Sequence, residues 1–571
     1  MELRTLEDRA RAALNCLVGN TDPQWRRLPY VWTYLKPSPP AASHGAGPRD
    51  FGDVAGRWID ALALARHMTG SETGVETEEV LRNYFLTLLD DADGLCYSEK
   101  TAWCEREVEV ACERGALLAL ATWFLDTGDG YIAWLAERLV RGLLSIARVE
   151  GDTLHFPRRT YRRGRWLKSS PPGDAADDGA ILTPVVRLLE ATSSRDAERF
   201  VRLFANHIIA DRAAFAEDGS FVGPTHTRLG TAAGLMRAGL ALHDERYFDL
   251  GRRIYECSRA VTASTGWIPG FLGRDPLSDE GCETCALADA LDCSLLLAAN
   301  GDEARWDDVE RLVRNQLFEN QLTDVSWLAP AKKRLGLPVR GKPRKDALRT
   351  THDDVAARVT GGFAGWAAPN DFVGAAPNDL IGAAPNDFVG VTRVKDWAMQ
   401  HCCTASGVRA LYLAWHSAVV EHDGTVAINL HFDRDTRAGE LRTHLPHKGK
   451  LVFALARRRR LRVRLPAGVA PDDLTVYVNA RCVTPRARGR WLVLDELAAA
   501  DVVSVNYPLH VREGWEVIGG RTFRLRWKGN AVTAIEPRGE IRPLYQRKDY
   551  ETAQPPRMQP KLHLPKGDLA W

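Results

Sequence analysis

The spacing of apolar positions changes character once along this chain. From about residue 50 to 420 it is helical. Ile132, Leu135, Leu139, Leu143 and Ile146 form one stripe, and Ala232, Leu235, Met236, Gly239 and Leu242 form another. Steps of three and four put such residues on one helix face. Three segments share a turn of one kind: TGDGYIAWLAERLV (127–140), LHDERYFDLGRRIY (242–255) and NGDEARWDDVERLV (300–313). Each has an Asp, a nearby aromatic and then an amphipathic helix. The Asp predicts an N-cap, because its carboxylate accepts from otherwise unpaired backbone N–H groups. A recurring helix–turn–helix unit predicts a solenoid or a closed α/α toroid. Many of these helices are apolar on more than one face, which favours the closed form.

Near residue 423 the period falls to two. Val426, Ile428, Leu430 and Phe432 alternate with polar residues, as do Leu461, Val463 and Leu465. Leu474, Val476 and Val478 follow, then Phe523, Leu525 and Trp527. Alternation with turn residues between runs predicts an antiparallel β-sandwich, or two small ones. The Arg457–Arg460 run reads as the solvated face of such a sheet.

Three segments interrupt the helical part. Residues 158–179 are basic and aromatic and then polar, ending in SSPPGDAADDG; residues 329–350 are rich in Lys, Arg and Pro. Both read as exposed insertions. AAPNDFVG (367–374), AAPNDLIG (375–382) and AAPNDFVG (383–390) form a short repeat. Three eight-residue units are too few to stack as a solenoid, so two copies read as an expansion of one loop.

Composition narrows the function classes. Of 571 residues, 45% are hydrophobic and 26% charged, ordinary values for a globular chain. With 76 Lys plus Arg against 74 Asp plus Glu, the net charge of +2 gives no nucleic-acid or membrane signal. The first residues, MELRTLEDRARAALN, alternate charges, and 18 consecutive apolar residues occur nowhere. The expectation is therefore a cytoplasmic protein without a membrane span. The eleven cysteines are odd in number and read as reduced, most of them as small buried apolar residues, Cys257 and Cys293 among them. Seventeen tryptophans suit core filling or stacking on sugar faces.

Two stretches carry the chemistry. GCETC (281–285) contains Glu283 and Cys285, and HCCTASG (401–407) contains the adjacent pair Cys402 and Cys403. One carboxylate and three thiols are a donor set that tetrahedral zinc accepts. Adjacent cysteines rarely pair with each other, because their Cα atoms are too close for normal disulfide geometry. Each stretch precedes a helical pattern, so two helix N-termini would converge, and their dipoles favour thiolates. Three other readings stand beside this one. Cys282 and Cys285 form a C-x-x-C redox pair; Cys282, Cys285, Cys402 and Cys403 form a structural zinc site; or the thiols are buried and metal-free.

ETC before one helix and CC before another resembles glycoside hydrolase family 127 and its relative family 146, the retaining β-L-arabinofuranosidases. The resemblance runs over most of the chain, up to RTFRLRWKGNAVTAIEPRGEIRPLYQR (521–547), and is specific at the cysteine motifs. It implies an (α/α)6 barrel followed by a β-sandwich, with zinc held by Glu283, Cys285, Cys402 and Cys403. It also implies Cys402 as the nucleophile. His226, in THTRLGTAAGL, resembles the family's active-site histidine. The chain departs from the pattern in three places. Trp267 falls near the position of the family's acid/base Glu. TASGVRALY follows the cysteine pair where a CCPPN-like turn is usual. Glu113-Arg114-Gly115 stands where a glycine–histidine pair is expected.

The sequence is thus read as a mainly α chain, with an (α/α)6 barrel over 1–422 and β-sandwich over 423–571. It would act on a glycoside or oligosaccharide, with a homodimer as the assembly considered. Among Asp275, Asp279 and Glu280 the acid/base choice falls on Glu280 or Asp279, and His226, Trp366 and His401 are placed around the sugar. The rivals are a carbohydrate-binding or scaffold protein with structural zinc, and another α/α-toroid carbohydrate enzyme, a carboxylate hydrolase or a lyase.

Overall fold

The computed structural model describes residues 3–45, 47–273, 281–337, 350–374, 397–551, 561–567 and 569. Twelve of its described helices form an α/α toroid. They are α1 (Leu6–Gly19), α2 (Asp53–Thr69), α3 (Val75–Leu86), α4 (Glu113–Thr127), α5 (Gly130–Ile146) and α6 (Leu182–Thr192). Then come α7 (Arg195–Ala210), α8 (Thr225–Leu242), α9 (Glu245–Ala260), α10 (Thr284–Ala299), α11 (Arg305–Arg311) and α12 (His401–Ala418). The even-numbered helices pack in sequence around a ring that closes where α12 meets α2. The odd-numbered helices lie outside them. Six outer–inner pairs therefore make the closed barrel.

Local sequence explains this division. Inner helix α10 is buried at 14 positions of its 16, so it has no solvent face. Outer helix α7 buries one stripe that includes Phe200, Phe204 and Ile208, and leaves its other face to water. Asp129 caps α5 by accepting from Tyr131 N, and Asp244 caps α9 by accepting from Arg246 N. The third repeated turn differs. Ala304 occupies the cap of α11, and Asp302 instead accepts from the Arg305 side chain at 2.8 Å. Helices α2 and α4 pack tightly, and a Cβ on Gly56 would lie 2.2 Å from the Gly115 carbonyl oxygen.

Short strands brace the end of the barrel where the inner helices begin. Strand β1 (Trp32–Tyr34) pairs with β2 (Ala41–Ser43), β3 (Cys282–Glu283) with β4 (Trp366–Ala367), and β5 (Ala398–Gln400) with β1. Strands β3 and β5 lead directly into α10 and α12.

Past Ala418 the chain turns to β-structure. One sheet contains β6 (Val419–His422) and β7 (Thr425–Ile428), and the facing sheet contains β8 (Arg434–Thr436), β9 (Gly439–Thr443) and β10 (Lys450–Leu455). The first sheet is completed by β11 (Arg459–Arg464). The facing sheet takes in β12 (Thr475–Val478) and β13 (Arg481–Val483), and the first sheet adds β14 (Arg486–Arg488) and β15 (Trp491–Leu497). Strand β16 (Val502–Asn506) returns to the facing sheet. The two share a core of residues such as Val426, Leu461, Phe453 and Val503. The pairing of β7 with β11 is parallel, an exception to the expected antiparallel pattern. A third sheet, β17 (Val511–Ile518), β18 (Arg521–Lys528) and β19 (Ala531–Glu536), stands apart from the sandwich. Its Phe523, Leu525 and Trp527 join the helical core, as do Leu430 and Phe432.

The Arg457–Arg460 run is solvated, as its period suggested. Arg457 and Arg459 meet Glu421, and Arg460 meets Asp495, all on the surface. The first AAPNDFVG copy is built into the fold: the Asp371 carboxylate accepts from the Ile541 and Arg542 backbone at 2.6 and 3.0 Å. The second and third copies lie outside the described residues.

Candidate active site and metal centre

All six inner helices start at the same end of the barrel, and a cavity of about 140 Å³ lies there. Its wall takes residues from the first turn, or the approach, of each: Asp53 of α2, Arg114 of α4, Asp178 before α6, His226 of α8, Glu283 before α10 and Cys402 of α12. Six positive helix ends pointed at one space favour anionic groups there.

Glu283, Cys285, Cys402 and Cys403 converge beside that space, with Glu283 and Cys402 on its wall. One donor atom from each lies within 4.8 Å of the other three, and all four residues are buried. The Cys285 and Cys403 sulfurs are 3.4 Å apart, and Cys403 Sγ is 3.9 Å from Glu283 Oε1. Tetrahedral sulfur ligands 2.3 Å from zinc would stand about 3.8 Å from each other. Donor type, number and spacing therefore fit a metal ion. Local geometry explains the grouping. Cys282 and Glu283 are neighbours on strand β3 and face opposite ways. Glu283 enters the cluster, while Cys282 lies outside it, buried among apolar residues. All eleven cysteines are unlinked.

The electrostatics of the cluster are unbalanced. Burial, reinforced by Cys285, pushes the Glu283 carboxyl up to about 8. Burial likewise lifts the Cys285 thiol to about 11 and Cys403 well above the usual range. Cys402 goes the other way. Hydrogen bonds from the Cys285 and Cys403 thiols, with the Arg57 charge, bring it down to about 5 against the cost of burial. The Arg57 guanidinium lies 3.9 Å from Cys285 Sγ, anchored by Asp53 at 2.6 Å. Ligands of a metal must be deprotonated, so a cation would relieve this crowding of buried acids.

His226 lines the cavity, and its Nδ1 meets Asp289 Oδ2 at 2.5 Å. Burial opposes a charge on the ring, but Cys285 and Asp289 outweigh it and raise His226 above its ordinary value. Arg114 holds the other oxygen of Asp289 at 3.1 Å. Trp366 also lines the cavity. Its backbone pairs with Glu283, and it approaches so closely that a Cβ on Gly281 would fall 2.6 Å from Trp366 Cβ.

Two sequence expectations need correction. His401 does not reach the cavity. It is fully buried, with Nε2 at 2.8 Å from Thr33 Oγ1 and Nδ1 at 3.1 Å from Thr404 Oγ1, so both nitrogens are engaged. Burial drops its pKa to about 3, which makes it a neutral brace between β1 and α12. The segment 158–179 is not a purely exposed insertion. Thr160–Arg162 pairs with Val108–Glu109, and Arg159, Asp177 and Asp178 form part of the cavity wall. Asp279 and Glu280 lie outside the described residues, as does Asp275. Trp267 is buried, and its indole N–H donates to the Ala367 carbonyl at 2.9 Å.

Comparison with known proteins places the fold. Neither a protein-family model nor a curated protein matches the chain. Among solved structures, it is similar to a GH127 beta-L-arabinofuranosidase from Geobacillus stearothermophilus T6 at a TM-score of 0.54 and 14% identity, covering 84% of this chain and 77% of that one. It is similar to another GH127 beta-arabinofuranosidase at 0.54 and 14%, covering 93% and 81%. A further structure described as a glycoside hydrolase matches at 0.56 and 14%, covering 84% and 76%. The chain therefore has the α/α toroid with C-terminal β-structure that GH127 enzymes have, at a divergent sequence. No described helix is long and apolar enough to cross a membrane.

Proposed function

We propose that this protein is a glycoside hydrolase that removes a non-reducing-end furanoside or a related sugar with retention, using Cys402 as its nucleophile. Glu283, Cys285, Cys402 and Cys403 would hold zinc. Zinc, when bound, keeps coordinating thiols deprotonated at neutral pH. The Cys402 sulfur attacks the anomeric carbon and forms a thioglycosyl intermediate, which water then resolves. His226 and Trp366 would contact the sugar, with Asp289 fixing the imidazole and the β3–β4 pairing fixing the indole.

The observation that carries this reading is the convergence of four buried acidic donors beside the cavity, with Glu283 and Cys402 on its wall. The fold shared with GH127 enzymes supports it. Trp267 at the expected acid position favours the rival reading, a carbohydrate-binding protein with structural zinc.

A panel of chromogenic furanosides and pyranosides, assayed with metal quantified alongside, tests the proposal. Cys402→Ser should abolish turnover, while Cys282→Ser should keep the metal and most activity. An active Cys402→Ser contradicts the nucleophile. Loss of metal in Cys282→Ser supports the structural four-thiol site instead.

A further inference from the structure

Retaining hydrolysis needs a carboxyl group that protonates the leaving oxygen and then takes a proton from water. The described carboxylates around the cavity differ sharply in their freedom to do so. Asp53 is held by Arg57 at 2.6 Å, and Glu109 by Arg49 at 3.1 Å. Asp177 is held by Arg159 at 2.9 Å and by Arg228. Glu283 belongs to the sulfur cluster.

Asp178 is the exception. It is 2% exposed and lines the same cavity as Cys402, His226 and Glu283. Its Oδ2 accepts from Asp174 N at 3.3 Å, but its Oδ1 has no hydrogen-bond partner among the described residues. A buried polar oxygen without a partner carries a desolvation cost, which the neutral, proton-bearing form of the carboxyl lessens. The carboxyl is also firmly placed. The short helix Ala175–Asp178 is tied to α8, the helix of His226, because Thr231 Oγ1 donates to the Ala176 carbonyl at 2.8 Å and Thr227 Oγ1 to Asp177 at 2.8 Å. The following residue packs as closely: a Cβ on Gly179 would lie 2.4 Å from Thr231 Cγ2.

We infer that Asp178 is the catalytic acid and base of this site. The inference rests on the glycosidase reading above. In the first step the Asp178 O–H proton passes to the glycosidic oxygen as that C–O bond breaks and the Cys402 sulfur bonds the anomeric carbon. In the second step the Asp178 carboxylate takes a proton from water, whose oxygen bonds the same carbon as the C–S bond breaks. The starting protonation state is right for this order. Burial, reinforced by the neighbouring Asp177 charge, raises Asp178 to about 8, so it carries its proton at neutral pH. The sequence places this residue in SSPPGDAADDG, far from GCETC, and so offers a site for the function that the Trp267 position lacks.

The experiment is Asp178→Asn, assayed on an alkyl glycoside and a 2,4-dinitrophenyl glycoside of the sugar that the wild-type chain hydrolyses. An acid is needed for the alkyl leaving group and hardly for dinitrophenolate. The alkyl substrate should lose about 10²–10⁴-fold in kcat/KM, while the dinitrophenyl substrate loses little. Azide should raise turnover of the variant and give a glycosyl azide, and metal content should stay at the wild-type level. Equal losses on both substrates without azide product, or alkyl turnover like the wild type, overturn the inference. Asp178→Glu provides a second variant should the Asn form not fold. It must show a smaller loss confined to the alkyl substrate, and an equal loss on both overturns the inference. Cys402→Ser, run in parallel, separates the two claims. If it stays active while Asp178→Asn shows the leaving-group pattern, the thiolate reading fails and the acid assignment stands. If it is inactive and Asp178→Asn has no such pattern, the acid assignment fails and the glycosidase reading stands.

Discussion

Two groups of buried acids lie close together in this barrel, and they are treated in opposite ways. Along the barrel axis each acid has a guanidinium. Asp60 takes two bonds from Arg409, at 3.1 and 2.7 Å, and one from Thr122 at 2.6 Å. Asp292 has Arg237 at 2.5 Å, and Asp289 has Arg114. Beside the cavity, Glu283 and three thiols crowd together with Arg57 as a neighbouring cation, and Asp178 leaves an oxygen unbonded among the described residues. Paired charges brace inner helices against each other. Unpaired ones mark where, on the proposed reading, a cation and a substrate would complete the structure. The same burial thus yields scaffold in one place and chemistry in the other, and partners decide which.

Substitutions can break that contrast, and they differ in scale. Cys402→Ser should lower kcat on the order of 10³-fold or more, as expected when a nucleophile is removed, with global unfolding of the metal-free form nearly unchanged in a denaturant titration. Asp60→Asn should do the reverse. Breaking a buried ion pair costs about 3–5 kcal/mol, read from the same titration, while metal content per chain remains at the wild-type level. Glu283→Gln falls between them. It should lower metal stoichiometry and remove the stabilisation that binding supplies, about 4 kcal/mol at metal 1,000-fold above Kd, measured by elemental analysis and thermal unfolding.

A fourth test concerns pH. Glu310 of α11 binds Arg464 of the sandwich and Arg314. Burial opposes its charge, but His431, Arg464 and Arg314 prevail and bring it from 4.5 down to about 2. A depressed carboxylate stabilises the fold fully above its unfolded value of 4.5. That contribution is lost as pH falls towards 2, at about 1.4 kcal/mol per unit of depression. Glu310→Gln should flatten the stability profile in that window. The smallest effect is expected at Arg460, whose pair with Asp495 is exposed. Arg460→Ala should change stability by less than about 1 kcal/mol.

Much of this molecule was legible before its structure. Helical period, cap residues at Asp129 and Asp244, and the change to period two at β7 and β11 are local signals. Local signals survive folding when the tertiary environment agrees with them. The cluster of Glu283 and three cysteines was legible because its chemistry is rare and its spacing distinctive. The acid was not. Asp178 sits in a polar, proline-containing stretch that reads like surface loop, and the ties of Ala176, Asp177 and Gly179 to α8 are tertiary contacts that local pattern does not show. His401 misled for the complementary reason. Adjacency to Cys402 in sequence says nothing of direction, and the ring turns towards Thr33 on β1. The parallel pairing of β7 with β11 also escaped, because alternation specifies faces and not the direction of a partner strand.

The central claim is that a sulfur at the start of α12 bonds the sugar. Mapping the glycosyl adduct by mass spectrometry tests it most directly. The wild-type chain is quenched during turnover of an activated glycoside and digested. The account predicts one glycosyl mass on the peptide that carries Cys402 and Cys403, lost in Cys402→Ser. A glycosyl mass on a carboxylate peptide, or steady turnover by Cys402→Ser, would contradict it.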